Sequence, residues 1–204
     1  MNIAQQILDQ ARSLFDVAGV GKTPGGDALL ILGLESSPER DLDEFGQVGG
    51  AFQLQGFAKH AAPRLEALAN YIQDKGYTTE PIGQYGYPLK RELNLKEAAI
   101  SAGLGKRGKS TVVLHSKYGP RLRFMAMRTD APLDSIIGLP QPEEKDPACR
   151  ECSICIDACP VNALEPYRMP DTSICLSNSS VMTEEHGRLI PCYICLHLCP
   201  VGNK

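Results

Sequence analysis

Apolar side chains fall at Ile3, Ile7, Ala11, Leu14, Phe15 and Ala18, a spacing that predicts an amphipathic helix over residues 2–18. Gly19 to Gly26 should break it. The unbroken run from Ala28 to Leu34 then predicts a buried strand over 27–34. Residues 35–50 are polar and end in Gly49-Gly50. Leu65, Leu68, Ala69 and Ile72 share one face of a long helix expected over 51–75, which Pro63 kinks or restarts and Gly76 is suited to cap. A strand is expected around 77–82 and a helix over 94–102. After a glycine loop, the β-branched residues of 111–114 predict a strand. Leu122, Phe124 and Ala126 alternate with Arg121, Arg123 and Met125 and predict another. The mixture predicts an α+β chain whose first part is α/β.

From Asp130 the pattern dissolves. Pro132, Pro140, Pro142 and Pro147 mark a linker, which places a boundary near 140–147 and predicts domains at 1–145 and 146–204. A chain of 204 residues with 43% hydrophobic content can bury a core without staples. The formal net charge of −3 lends no support to broad nucleic-acid binding. No run of 18 apolar residues predicts a membrane span, and the N-terminus lacks a basic segment followed by an apolar stretch, so a cytoplasmic location is expected.

Cysteine changes the picture. All eight cysteines lie between Cys149 and Cys199, which suits metal better than a disulfide framework. Cys149, Cys152, Cys155 and Cys159-Pro160 have the spacing of bacterial two-cluster ferredoxins, in which the fourth cysteine serves the other cluster. Cys192, Cys195 and Cys199-Pro200 repeat the last three positions, and Cys175 is left to supply the missing one. The count closes as Cys149, Cys152, Cys155 and Cys199 on one [4Fe–4S] cluster, with Cys159, Cys175, Cys192 and Cys195 on the other. Zinc, four cysteines to an ion, is the plainer alternative, but zinc ribbons favour two CxxC pairs and do not explain the Cys-Pro endings. Ile154, Ile156, Ala158, Val161, Ala163, Leu164, Ile194 and Leu196 should form an apolar shell around the sulfurs. With eight positions filled, His197 is assigned packing or hydrogen bonding.

Residues 103–110 satisfy the pattern of a phosphate-binding loop, ending in Gly108-Lys109-Ser110. That loop needs a strand before it and a helix after it, and the order expected here is the reverse. Nucleotide hydrolysis is therefore set aside. Backbone N–H groups freed by Gly103, Gly105 and Gly108, with Lys106, Arg107 and Lys109, can still cradle an anion.

Residues 98–109, then Tyr118-Gly119-Pro120-Arg121-Leu122-Arg123, then Thr129-Asp130-Ala131-Pro132-Leu133, lead into the cysteines. That order resembles the reductive dehalogenase and epoxyqueuosine reductase group of corrinoid iron–sulfur enzymes. The likeness is close over 90–200 and loose before. It implies a nitroreductase-like α/β N-terminal domain that binds base-off cobalamin and a ferredoxin-like 2[4Fe–4S] module. Gly103, Gly105, Lys106, Gly108, Lys109 and Ser110 would face the corrinoid and its phosphate-bearing tail. Where epoxyqueuosine reductases place an aspartate before a proline, this chain has Gln84-Tyr85-Gly86-Tyr87-Pro88. The tyrosine proton donor of dehalogenases then suggests Tyr85 or Tyr87, with Lys109 stabilising developing negative charge.

The expectation is a corrinoid-dependent reductase fed by a redox protein such as ferredoxin or flavodoxin, with no nucleic-acid and no membrane partner. Acidic charge and the lack of an extension past Lys204 are taken to argue against a tRNA substrate. Two alternatives stand: an electron-transfer or accessory protein without a catalytic pocket, and a flavin-binding nitroreductase-like variant. The short first domain makes a homodimer plausible.

Overall fold

The Asn2 side chain accepts the Ala4 N–H and starts helix α1, Ile3–Leu14. The helix stops when Phe15 turns extended, and the chain enters strand β1, Val17–Lys22. The expectation of helix to residue 18 and a glycine break after it is thereby corrected. Gly19 and Gly21 are strand residues opposite Ile31 and Leu29 of β2, Ala28–Glu35. Strands β3, Phe45–Val48, and β4, Ala51–Leu54, pair antiparallel before helix α2, Gln55–Asp74. Pro63 lies inside α2 without ending it. Gly76, at φ +88°, caps the end, its N–H donating to the Gln73 carbonyl at 2.8 Å. Strand β5 is Thr79–Ile82, and helix α3 is Leu95–Ser101 with Asn94 as its N-cap.

The computed structural model describes residues 2–23, 25–48, 51–82, 93–137, 144–178, 181–183, 188–190 and 192–202. After α3 come β6, Lys106–Arg107, its antiparallel partner β7, Val113–Leu114, and β8, Leu122–Thr129. The strand expected over 111–114 is thus only two residues long. Thr111 instead takes a left-handed φ of 70°, its N–H donating to the Gly108 carbonyl at 2.9 Å, so the turn overrides its β preference.

Strands β1, β2, β8 and β5 form one antiparallel sheet in that order. Both of its faces are covered. Leu30, Leu32, Leu34, Met125 and Met127 pack with Ile7, Ala11, Leu65, Leu68 and Ile72 of α1 and α2. Leu29, Ile31 and Ala126 pack with Ala98, Ala99, Ile100, Leu104 and Val113 of α3 and the segment after it. Burial on both sides explains why β2 reads as a continuous apolar run. Each such side chain contributes about 1.5–3 kcal/mol.

Helix α3 lies directly on β1 because two glycines allow it. A Cβ at Gly19 would meet the Ala102 carbonyl oxygen at 2.8 Å, and one at Gly21 would meet the Ala98 oxygen at 2.6 Å. This contact aims the segment 102–110 at the cysteine region. The buried Asp43 carboxylate accepts from Nε and Nη2 of Arg123, each at 2.6 Å, and ties β8 to the segment before β3. No helix among the described residues is long and apolar enough to cross a membrane.

Gly21→Ala is expected to lower stability by about 1–3 kcal/mol through overpacking against α3. Thermal unfolding should show it as a fall in Tm of roughly 2–4 °C per kcal/mol. Gly25→Ala, at an exposed position with ordinary clearance, should stay within about 0.5 kcal/mol of the parent.

Candidate metal centre

The two cysteine motifs fold alike. Residues 147–149 form one 3-10 turn, with the Asp146 carboxylate accepting the Ala148 N–H at 2.9 Å. The chain then makes a single turn of helix, α4, Ile154–Asp157. After helix α5, Thr172–Asn178, and the antiparallel strands β9, Val181–Thr183, and β10, Arg188–Ile190, it makes a second one, α6, Ile194–His197. Ser153 before α4 has φ −126° and ψ 7°, and Tyr193 before α6 has φ −112° and ψ 7°. The closing bonds match too: the Ala158 N–H donates to Ile154 and Ile156, the Leu198 N–H to Ile194 and Leu196. The repeated spacing is a repeated local structure, and α4 packs on α6.

None of the eight cysteines is paired in a disulfide. Cys149, Cys152, Cys155 and Cys199 line one pocket together with Gly108, Lys109, Ser110, Leu114, Ile154 and Pro200. Burial pushes the Cys155 thiol up, and the charges of Cys149, Cys152 and Cys199 push it further. Cys175 is raised by burial and then by Cys192 and Cys159. Cys195 is pushed up to about 11, by burial first and then chiefly by Cys175 and Cys192. Cys155 and Cys175 each feel members of the quartet that spacing assigns them, 149/152/155/199 and 159/175/192/195, while Cys195 feels Cys155 of the first quartet as well as Cys175, Cys192 and Cys159 of its own. Each quartet has a main-chain donor. The Lys109 N–H donates to Cys149 Sγ at 3.5 Å, and the Ala163 N–H to Cys159 Sγ at 3.3 Å. Four thiols converging on an apolar pocket, with N–H groups aimed at sulfur, fit a thiolate-ligated cluster. No set of three His, Cys, Asp or Glu side chains among the described residues is arranged to hold a single ion.

The phosphate-loop pattern belongs to this pocket. The Gly103 and Leu104 N–H groups donate to the Ile100 and Ala99 carbonyls, and the Gly108 N–H to Val112. Those donors have partners within the chain, and Lys109 gives its own to a cysteine. Gly108, Lys109 and Ser110 meet the first quartet, whereas Gly103, Gly105 and Lys106 are not among the residues lining it. A Cβ at Gly105 would meet the Leu114 carbonyl oxygen at 2.6 Å, so that glycine serves the β6–β7 approach. Tyr85 and Tyr87 lie outside the described residues.

Two further contacts clamp the cysteine region to the sheet. Gly119, at φ +55°, lies so close to the segment after Cys199 that a Cβ would meet the Val201 carbonyl oxygen at 2.0 Å. Arg121 donates to the Gly202 carbonyl at 3.1 Å and to Glu35 at 3.0 Å. The Tyr118-Gly119-Pro120-Arg121 motif thus has a structural task that spacing alone did not disclose. Arg107, in β6, pairs with Glu97 and Glu144, while the Asp146 N–H donates to the Arg107 carbonyl at 2.9 Å. The segment between the expected domains is laced to β6.

No family model matches the chain. Epoxyqueuosine reductase from Pseudomonas aeruginosa is 34% identical over 143 residues, covering 69% of this chain and 35% of that protein. Tetrachloroethene reductive dehalogenase from Dehalobacter restrictus is 32% identical over 90 residues, covering 44% and 16%. The chain spans about a third or less of the length of these curated relatives. Among solved structures, an epoxyqueuosine reductase aligns with a TM-score of 0.68 at 17% identity, over 98% of this chain and 65% of that one. A reductive dehalogenase described with a mechanism for B12-dependent dehalogenation gives 0.67 at 17%, over 95% and 32%. The mixed helix-and-strand fold is shared with both. Another epoxyqueuosine reductase structure, at TM-score 0.66, contains a tRNA stem loop. That complex weakens the expectation that nucleic acid plays no part.

In metal-free protein at neutral pH, Cys195 is expected to alkylate about tenfold more slowly than a thiol at the ordinary value, because its thiolate is much scarcer and its greater nucleophilicity makes up only part of the loss. Mass spectrometry of iodoacetamide-treated protein checks the order, with unfolded protein as the reference for full labelling. Gly119→Ala is expected to loosen the segment after Cys199 and to reduce iron uptake by the first quartet, read by iron and sulfide analysis.

Proposed function

We propose that this chain, a homologue of the epoxyqueuosine reductases and reductive dehalogenases, is a corrinoid-dependent iron–sulfur reductase of that group. The observation that carries this is the convergence of Cys149, Cys152, Cys155 and Cys199, the four that ligand spacing groups together, on one mostly apolar pocket. Bound at those quartets, two [4Fe–4S] clusters supply single electrons, and a cobalamin held by the residues of 1–145 supplies the reductive chemistry.

The chain's own part begins with the thiolates. Cys149, Cys152, Cys155 and Cys199 hold one cluster, and Cys159, Cys175, Cys192 and Cys195 hold the other. Residues 146–204 form a ferredoxin-like module, and 1–145 form the nitroreductase-like domain beside it. Ala163 and Leu164, both buried, keep water from the sulfurs. The N–H groups of Lys109 and Ala163 stabilise sulfur charge. The loop 103–110 seats the first quartet, with its glycines shaping the β6–β7 turn. Tyr85 or Tyr87 delivers the proton to the substrate. The electron donor is a small one-electron carrier protein of the ferredoxin or flavodoxin kind. The stem-loop complex of one structural neighbour makes RNA a substrate class to test beside small molecules. A second reading, an electron-transferring accessory protein, needs only the two cysteine quartets.

Anaerobic reconstitution separates these readings. The reductase predicts about eight iron and eight sulfide per chain, together with retention of added cobalamin in its base-off spectrum. Cys149→Ala and Cys175→Ala should each lose about half of the iron and leave different clusters by electron paramagnetic resonance. Full clusters without cobalamin retention would select the accessory role, and zinc in place of iron would remove both.

A further inference from the structure

Apart from cysteine, two polar side chains are buried among the described residues, Asp43 and Ser110. The Asp43 carboxylate is answered by two nitrogens of Arg123. Ser110 is 6% exposed, yet its hydroxyl makes no hydrogen bond to any of the described residues. A buried hydroxyl without a partner in a native fold points to a bound group that completes it.

Ser110 lines the pocket on which Cys149, Cys152, Cys155 and Cys199 converge. The residues on either side of it are pinned. The Lys109 N–H donates to Cys149 Sγ at 3.5 Å, its carbonyl accepts the Tyr167 N–H at 3.0 Å, and its Nζ donates to the Arg150 carbonyl at 3.1 Å. Thr111 is a β-branched residue at φ 70°, a conformation that costs energy and persists only where its surroundings enforce it. Its N–H donates to the Gly108 carbonyl at 2.9 Å, and the Gly108 N–H to the Val112 carbonyl at 2.9 Å. The strained turn of 108–112 therefore holds Ser110 in the pocket wall, one residue from a main-chain donor already aimed at sulfur. In a mostly apolar pocket, the acceptors at hand are sulfurs.

We infer that the Ser110 hydroxyl donates a hydrogen bond to a sulfur of the cluster held by Cys149, Cys152, Cys155 and Cys199, and so raises the reduction potential of that cluster alone. The inference rests on the assignment of this quartet as a cluster site. One electron passes from the carrier protein, which is oxidised, to the cluster, which is reduced and gains one negative charge. No covalent bond is made or broken and no proton leaves the serine. A hydrogen bond strengthens as its acceptor becomes more negative, so the hydroxyl favours the reduced cluster over the oxidised one. The effect is one of contact, and it leaves the second quartet untouched.

The test is a redox titration of the full-length reconstituted protein, followed by electron paramagnetic resonance, with the two signals assigned through Cys149→Ala and Cys175→Ala. Ser110→Ala is expected to make the first cluster about tenfold harder to reduce, ~59 mV for one electron, and to leave the other midpoint in place. Ser110→Thr keeps the hydroxyl and should restore the parent value. Electron–nuclear double resonance in H2O and D2O should show an exchangeable proton coupled to the first cluster that Ser110→Ala lacks and Ser110→Thr retains. The resonance reads loaded molecules only, so a variant that takes up less iron still reports its midpoint. Ser110→Thr against Ser110→Val, alike in shape and different in the hydroxyl, repeats the comparison at constant volume. A first midpoint that stays put in Ser110→Ala, or two midpoints that move together, overturns the inference. A parent protein that takes up no cluster overturns the site assignment instead.

Discussion

Eight cysteine sulfurs gathered in one small region repel one another once ionised, and the packing around them works against that repulsion. Burial drives Cys149, Cys155, Cys175, Cys195 and Cys199 toward the neutral form, and the charge of neighbouring cysteines drives them further, as Cys195 shows most strongly. Ionisation of all eight would need compensating positive charge. In the proposed reductase bound clusters would supply the largest share, and the chain adds smaller ones through N–H groups at Cys149 and Cys159. Removing any cysteine would therefore disturb a balance of charge as well as a ligand count.

That balance requires the N-terminal half to come close, and close approach is a matter of missing side chains. Gly19 and Gly21 let α3 settle on β1, Gly105 lets β6 meet β7, and Gly119 lets the segment after Cys199 lie against the turn before β8. Each contact passes position onward: β1 places α3, α3 places the loop, and the loop places Lys109 on Cys149. The sheet can serve as this frame because both of its faces are filled, burying the middle of β2 and of β8.

The loop of 103–110 shows how a pattern can be right in its letters and different in its chemistry. A phosphate loop works because a helix N-terminus and free N–H groups converge on an anion. Here a helix comes first, the Gly103 and Gly108 N–H groups serve chain carbonyls, and the Lys109 N–H meets a cysteine sulfur. The acceptor served is a sulfur that belongs to the protein. Relatives of the same fold include enzymes of two different substrate classes, so the fold supports the chemistry without choosing its target.

Local spacing determined much of this by itself. The cysteine intervals dictated two like turns of helix, the apolar run from Ala28 dictated a buried strand, and Asn94 announced α3, because each depends on neighbours within a few residues. Three things were decided only in three dimensions. Residues 17–22 became a strand although Ala18 continued the helical spacing and the glycines after it read as a break, because pairing with β2 buries Val17, Ala18 and Val20. Thr111 left its preferred extended form, because the turn from Gly108 and the bond from Lys96 hold it. Lys109 gained its place on Cys149 across a long stretch of sequence, because the glycines of β1 admit α3 and the loop that follows it. Spacing can name the groups that bind, but which charges stand beside them depends on how closely distant segments can pack.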